Sequence, residues 1–244
     1  FGAGCLDAIN RYYGQDIPVG TLSAPGFLVG PETELYNRHI CETYPNRFRP
    51  GSGSAYPDAN DLLRRTLAAA EDHSVEFVAI GPLPNLARLV GDPGGRDLVA
   101  RKVRRLVAMA GAETPDPEWN VLMDIPAARE VFRRWPTPIV LTPFETGRDI
   151  LTGRTFGSMR EGNPVRVAYT LHSPEGRMSW DLTAIWFALR GTEPFFERSG
   201  PLSVTVHPDG RTEFTEDPDG QVRLLRNRMS PDAIGLALDA LWTE

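Results

Sequence analysis

Across 244 residues the sequence has only two cysteines, no excess of basic charge and no apolar run near the roughly 18 residues of a spanning helix. Each absence excludes something. Cys5 and Cys41 form no CxxC pair and allow at most one disulfide, so a disulfide-stapled scaffold is excluded and a reduced, cytoplasmic setting is the default. No membrane partner is expected from a chain without a long apolar run. Lys and Arg number 26 against 32 Asp and Glu, a net charge of −6, which argues against a broad surface for a nucleic acid polymer and against a polybasic membrane patch. Neither GxGxxG nor GxxxxGK[ST] occurs, so there is no phosphate-cradling loop. His39, His73, His172 and His207 show no metal-ligand spacing, and neither cysteine has the His–acid partners of a thiol nucleophile. No internal repeat and no low-complexity tract is found. No Met precedes Phe1, while Cys5, Leu6, Ile9, Tyr12 and Tyr13 already carry a helical stripe, so the expectation is a piece of a longer chain.

What is present describes a globular α/β domain. Hydrophobic residues make up 41% and charged residues 24%, close to the globular norm. Gly at 23 and Pro at 22 are plentiful and predict long, rigid loops, the longest over 22–57 with a short helix near 32–42. Helices are expected over 3–13, from Asp58 or Asn60 to Ala70, over Ile125–Arg134, Pro164–His172 and Leu182–Arg190, and from Pro231 onward. Between them lie apolar strands at 75–80, 106–109 and 138–141. A short helix over Arg96–Val103 should follow a break at Asp92-Pro93-Gly94-Gly95, and Asn85 should cap a turn of helix to Val90. This spacing predicts an open, mostly parallel, Rossmann-like sheet with helices on both faces. Ser203–Val206 and Thr212–Phe214 around Pro208-Asp209-Gly210 predict a hairpin, with a final helix behind it. Residues 1–244 read as one domain.

In such sheets ligands gather outside the carboxyl ends of the strands. The turn after Ile80 reads Gly81-Pro82-Leu83-Pro84-Asn85. After Met109 come Glu118, Trp119 and Asn120: a carboxylate and an amide to bond hydroxyls, and an indole to cover an apolar sugar or base face. Asp181 at the head of a helix reads either as a helix-end charge or as one oxygen ligand of a hard cation.

Taken together these segments resemble the inosine-uridine preferring nucleoside hydrolase family. Leu6–Gly14 through Ile17-Pro18-Val19-Gly20 resembles that family's second helix and following strand. Val78-Ala79-Ile80-Gly81-Pro82-Leu83-Pro84-Asn85-Leu86-Ala87 is similar to its GPLTNLA turn, with Pro84 at the Thr position. Leu106–Gly111 resembles its LMGG strand end, and Glu118-Trp119-Asn120 through Asp124–Ala128 its EFN…DPEAA stretch. Ser179–Ala184 resembles the HDPLA segment with Trp180 in place of His. The resemblance spans residues 3 to about 190.

It implies hydrolysis of a nucleoside's N-ribosidic bond to ribose and free base, assisted by Ca²⁺. Carried over by position, the carbonyl of Ile80 and the carboxylate of Asp181 would ligate the metal. Met109, Glu118, Trp119 and Asn120 would contact the substrate, and Trp180 would edge the base pocket. The family's DxDxxxDD cluster, source of its other metal ligands and its general base, does not occur here. The expectation is that it lies upstream of Phe1 with the first strand and helix, and that residues 1–244 alone are inactive. The alternative is a nucleoside hydrolase-like binding protein without catalysis. An unrelated glycosyltransferase, which would need a metal-binding DxD motif, is the weaker option. A homo-oligomer is compatible with the family precedent.

Overall fold

The computed structural model describes residues 1–22, 35–49 and 55–242. The parts of the expected 22–57 loop at 23–34 and 50–54 lie outside the described residues. Helix α1 (Gly2–Tyr12) gives way to Gly14 at φ +66°, a conformation glycine adopts without steric cost. Helix α2 (Leu35–Thr43) is the short helix expected within the loop. Helix α3 (Ala59–Ala69) begins where Asp58 accepts the N–H groups of Asn60 and Asp61 at 2.8 and 3.3 Å.

Strand β1 (Val75–Ala79) leads to α4 (Pro84–Gly91) and α5 (Pro93–Lys102). Two expectations change here. Leu83, not Asn85, precedes the first turn of α4, which Pro84 opens. Asp92 breaks the helix as expected, but Pro93-Gly94-Gly95 already form the first turn of the next one: Asp92 accepts the Gly95 N–H at 2.8 Å, and Pro93 fits a first turn that needs no N–H. Gly95 is there for space, since a Cβ would lie 2.0 Å from the Leu89 carbonyl oxygen. Strand β2 (Val103–Ala108) therefore starts earlier than its apolar run suggested.

The short α6 (Trp119–Leu122) precedes α7 (Ile125–Arg134), where Asp124 caps the Ala127 N–H at 3.0 Å. Then come β3 (Ile139–Leu141), α8 (Phe144–Arg148), β4 (Leu151–Thr152), α9 (Pro164–His172), β5 (Arg177–Met178) and α10 (Trp180–Arg190). The chain ends in β6 (Phe196–Arg198), the hairpin β7 (Leu202–Val206) and β8 (Thr212–Glu216), β9 (Val222–Asn227) and α11 (Pro231–Asp239).

The described residues group into two compact units. The first draws on 1–63, 152–177 and 239–244. There α1 and α2 pack through Cys5, Ala8 and Ile40, both cysteines being free and buried. Its polar centre is Asp7, which accepts the main-chain N–H of Arg47 at 2.7 Å, the Arg47 guanidinium at 3.1 and 3.2 Å, Arg11 at 3.2 Å and the Tyr56 hydroxyl at 3.1 Å.

The second unit, 64–151 with 178–238, is the sheet, ordered β1-β2-β3-β9-β7-β8. The first four strands run parallel, β7 runs antiparallel to both of its neighbours β9 and β8, and β6 is also antiparallel on β9. Neighbouring residues of a strand point to opposite faces, and both faces are covered. Val78, Val107 and Val140 meet Phe187 and Ala184 of α10, while Phe77 meets Trp135 edge-on, 5.5 Å between ring centres. Trp135, Phe187 and Phe196 are almost wholly buried, each contributing on the order of 2–3 kcal/mol through loss of apolar surface to water. No described helix is long and apolar enough to cross a membrane.

Candidate active site at the carboxyl ends of β1 and β2

The ladder sets the level of the site. Met109 donates its N–H to Ala79 at 2.9 Å and Thr142 donates to Ala108 at 2.9 Å, so the chain leaves β1, β2 and β3 along one edge, with Ile80 beside Met109. Gly111, at φ +80°, turns the chain off β2. The strand end is then reclaimed by side chains from further along.

Glu118 caps α6, accepting the N–H of Asn120 at 2.8 Å and of Val121 at 3.1 Å, and reaches back to the Gly111 N–H at 3.2 Å. It is 4% exposed. Burial pushes its carboxyl up, the three N–H bonds oppose that, and the charge of Asp181 adds to the rise, so the two carboxylates lie within electrostatic reach. Asn120, also buried, donates Nδ2 to the Met109 carbonyl at 3.0 Å and to its sulfur at 3.2 Å. Trp119 between them is 60% exposed, a large aromatic face offered to solvent beside two buried polar groups. Thus Met109, Glu118 and Asn120 form one bonded set with Trp119 at its rim.

The second segment is the head of α10. Asp181 stands exposed in its first turn. The Trp180 indole donates its N–H to the Phe144 carbonyl at 2.9 Å and stacks on the Phe144 ring, 5.5 Å between centres at 27°. Its main chain lies against Gly147, where a Cβ would be 2.4 Å from the Trp180 Cα. The indole N–H is therefore committed to the protein.

Sequence reasoning passed over Glu145, Phe144 and Thr212, none of which sits in a motif. Glu145 accepts the N–H groups of Glu113 and Thr114, and Thr212 bonds both polar groups of the Ala112 backbone. Only the rise in Pro, Gly and short polar residues over 110–118, a loop that needs outside support, could have pointed to them.

A calcium ion takes six to eight oxygens. Among the described residues no three His, Cys, Asp or Glu side chains gather to hold a metal ion. The Asp181 carboxylate and the Ile80 carbonyl are too few, so the described donor set does not by itself make a calcium site.

No curated protein matches the chain. Among solved structures, an inosine-uridine preferring nucleoside hydrolase from Bacillus anthracis is similar at TM-score 0.73 and 17% identity, over 98% of this chain and 84% of that one. An inosine-guanosine nucleoside hydrolase aligns at 0.72 and 19%, covering 97% and 84%. A purine-preferring ribonucleoside hydrolase from Gardnerella vaginalis aligns at 0.71 and 17%, covering 99% and 86%. At these identities the structures speak for the fold, a mostly parallel α/β sheet of the nucleoside hydrolase kind. The family description "Inosine-uridine preferring nucleoside hydrolase" matches residues 7–227, past the last motif and through β9, and the chain belongs to that family.

Proposed function

We propose that this protein hydrolyses the N-ribosidic bond of ribonucleosides, releasing ribose and the free base, with Ca²⁺ as the assisting cation. The observation that carries the reading is the buried Glu118–Asn120 pair bonded to the end of β2 with the Trp119 face exposed beside it, in a chain that belongs to a nucleoside hydrolase family.

Departure of the base leaves positive charge on the ribosyl ring, an oxocarbenium-like state. Glu118 is a carboxylate fixed at this edge, oriented by three N–H groups before any substrate arrives, and Asp181 sets a second carboxylate within reach. Asn120 has its nitrogen tied to Met109, so its oxygen serves as acceptor for a ribose hydroxyl. Trp119 covers an apolar face of sugar or base. Trp180, its N–H held by Phe144, contributes a ring face at the base pocket and no proton to the leaving group. Asp181 and the Ile80 carbonyl are the two oxygens proposed for the cation.

The test is ribose and free base released from a panel of purine and pyrimidine ribonucleosides by the full-length protein, with and without a calcium chelator. Release that the chelator abolishes supports the reading in full, and release that it leaves unchanged removes calcium from it. Nucleoside binding without release of ribose replaces it with the alternative, a nucleoside hydrolase-like binding protein.

A further inference from the structure

One carboxylate outside the assigned residues is tied to the site chiefly through backbone amides. Glu145, half-buried in the first turn of α8, accepts the Glu113 N–H on Oε2 at 3.0 Å and the Thr114 N–H on Oε1 at 2.9 Å. The neighbouring backbone groups are answered in the same way. Gly111 donates to Glu118 at 3.2 Å and accepts from the Phe144 N–H at 2.8 Å. The Thr212 hydroxyl takes the Ala112 N–H at 2.9 Å and donates to its carbonyl at 2.8 Å. Residues 111–114 thus owe their conformation to groups from α6, α8 and β8, not to a ladder or helix of their own. Burial pushes the Glu145 carboxyl up, but the N–H bonds of Glu113 and Thr114 outweigh it and hold it below the usual range. Glu145 is therefore ionised at neutral pH, and both bonds are charge-assisted.

Helix α8 serves the second segment too. Besides the contacts of Phe144 and Gly147 with Trp180, Ser179 donates its N–H to Gly147 at 3.2 Å and Ile150 at 2.9 Å. The helix is itself pinned to β9: the Thr146 hydroxyl donates to the Leu225 carbonyl at 2.6 Å, and Asn227 donates to the Thr146 carbonyl at 3.0 Å.

We infer that Glu145 is a positioning residue: through the Glu113 and Thr114 amides it sets the loop that delivers Glu118 and Asn120, and through α8 it fixes that loop to the head of α10, where Asp181 stands. The structural part rests on geometry and the kinetic part on the hydrolase reading above. A misplacement of about 1 Å in a site can lower turnover about 100-fold, which sets the scale expected.

The experiment is amide hydrogen exchange over 110–121 and 179–184, with α7 as internal reference, alongside ribose release, for the full-length protein and its Glu145→Ala and Glu145→Gln variants. Glu145→Ala should raise exchange over 110–121 about tenfold or more, leave α7 unchanged, and lower kcat/KM about 100-fold, mostly in kcat. Glu145→Gln keeps one acceptor oxygen and should recover part of both, at about a tenfold loss. If Glu145→Ala does not fold, Glu145→Gln decides alone. Unchanged exchange over 110–121 overturns the inference, whether or not turnover falls. Raised exchange with unchanged kinetics in an active enzyme also overturns it. Raised exchange in the variants of a protein whose wild type releases no ribose leaves the positioning role standing and sinks the hydrolase reading instead.

Discussion

Asn120 and Met109, eleven residues apart, are joined twice: one amide nitrogen bonds the methionine's carbonyl at 3.0 Å and its sulfur at 3.2 Å. The amide is thus part of the strand end and also a candidate ribose contact. Asn120→Asp would set a buried carboxylate against that carbonyl. It should destabilise the protein by about 3 kcal/mol, while Asn120→Ala should cost about 1–2 kcal/mol and raise KM. Urea titration of both variants, paired with nucleoside kinetics, checks the order.

Gly147 is a spacing residue. A methyl there would meet the Trp180 main chain at 2.4–2.6 Å, and main chain cannot rotate aside. Gly147→Ala should destabilise by about 2–3 kcal/mol and shift the tryptophan emission as the Trp180–Phe144 stack opens. A melting temperature within a degree or so of wild type would show that the head of α10 is not seated on α8.

Asp7 is held down to a pKa of about 2: burial opposes ionisation, but the Arg47 and Tyr56 hydrogen bonds and the Arg47 charge prevail. A carboxyl depressed on folding adds stability above its unfolded pKa near 4 and loses it as pH falls through the folded value. The difference in unfolding free energy between wild type and Asp7→Asn should therefore be fully present at about pH 5. It should shrink by about 2 kcal/mol toward about pH 2. Denaturation curves at several pH values test this, and a difference that grows on acidification contradicts it.

Asp181 is exposed at a helix head, where its charge favours the helix by no more than about 1 kcal/mol. Asp181→Asn should leave the melting temperature nearly unchanged while lowering nucleoside turnover at least about 100-fold, the pattern of a residue kept for chemistry. Calorimetric titration of calcium into wild type and variant separates loss of the cation from loss of the charge.

The legible parts of the sequence are those where local chemistry and packing agree. Asp124 as cap, Pro126 in the first turn and Ala128, Val131 and Phe132 on one face mark α7 to the residue. Strand β9 escaped notice because Arg223 and Arg226 break its apolar run, although its place between β3 and β7 buries Leu224 and Leu225 completely. The Gly pair at 94–95 reads as a breaker to any local rule, and only the closeness of the Leu89 carbonyl explains it. At the site, Glu118, Trp119 and Asn120 were legible as chemical types. That Glu118 is also a cap, and that Glu145 holds the same loop from a different helix, are facts of tertiary placement with no local signal.

The position of β9 has a consequence for how the protein comes into being. It returns from beyond residue 220 to lie beside a strand that ended at 141, and α8 hangs on it through Thr146 and Asn227. Such distant pairing forms slowly and late. A chain still on the ribosome, or one clipped before Val222, would lack the middle of its sheet and the anchor of its candidate site. Activity should therefore appear in one step, when the last strand docks, and not accumulate as the chain lengthens.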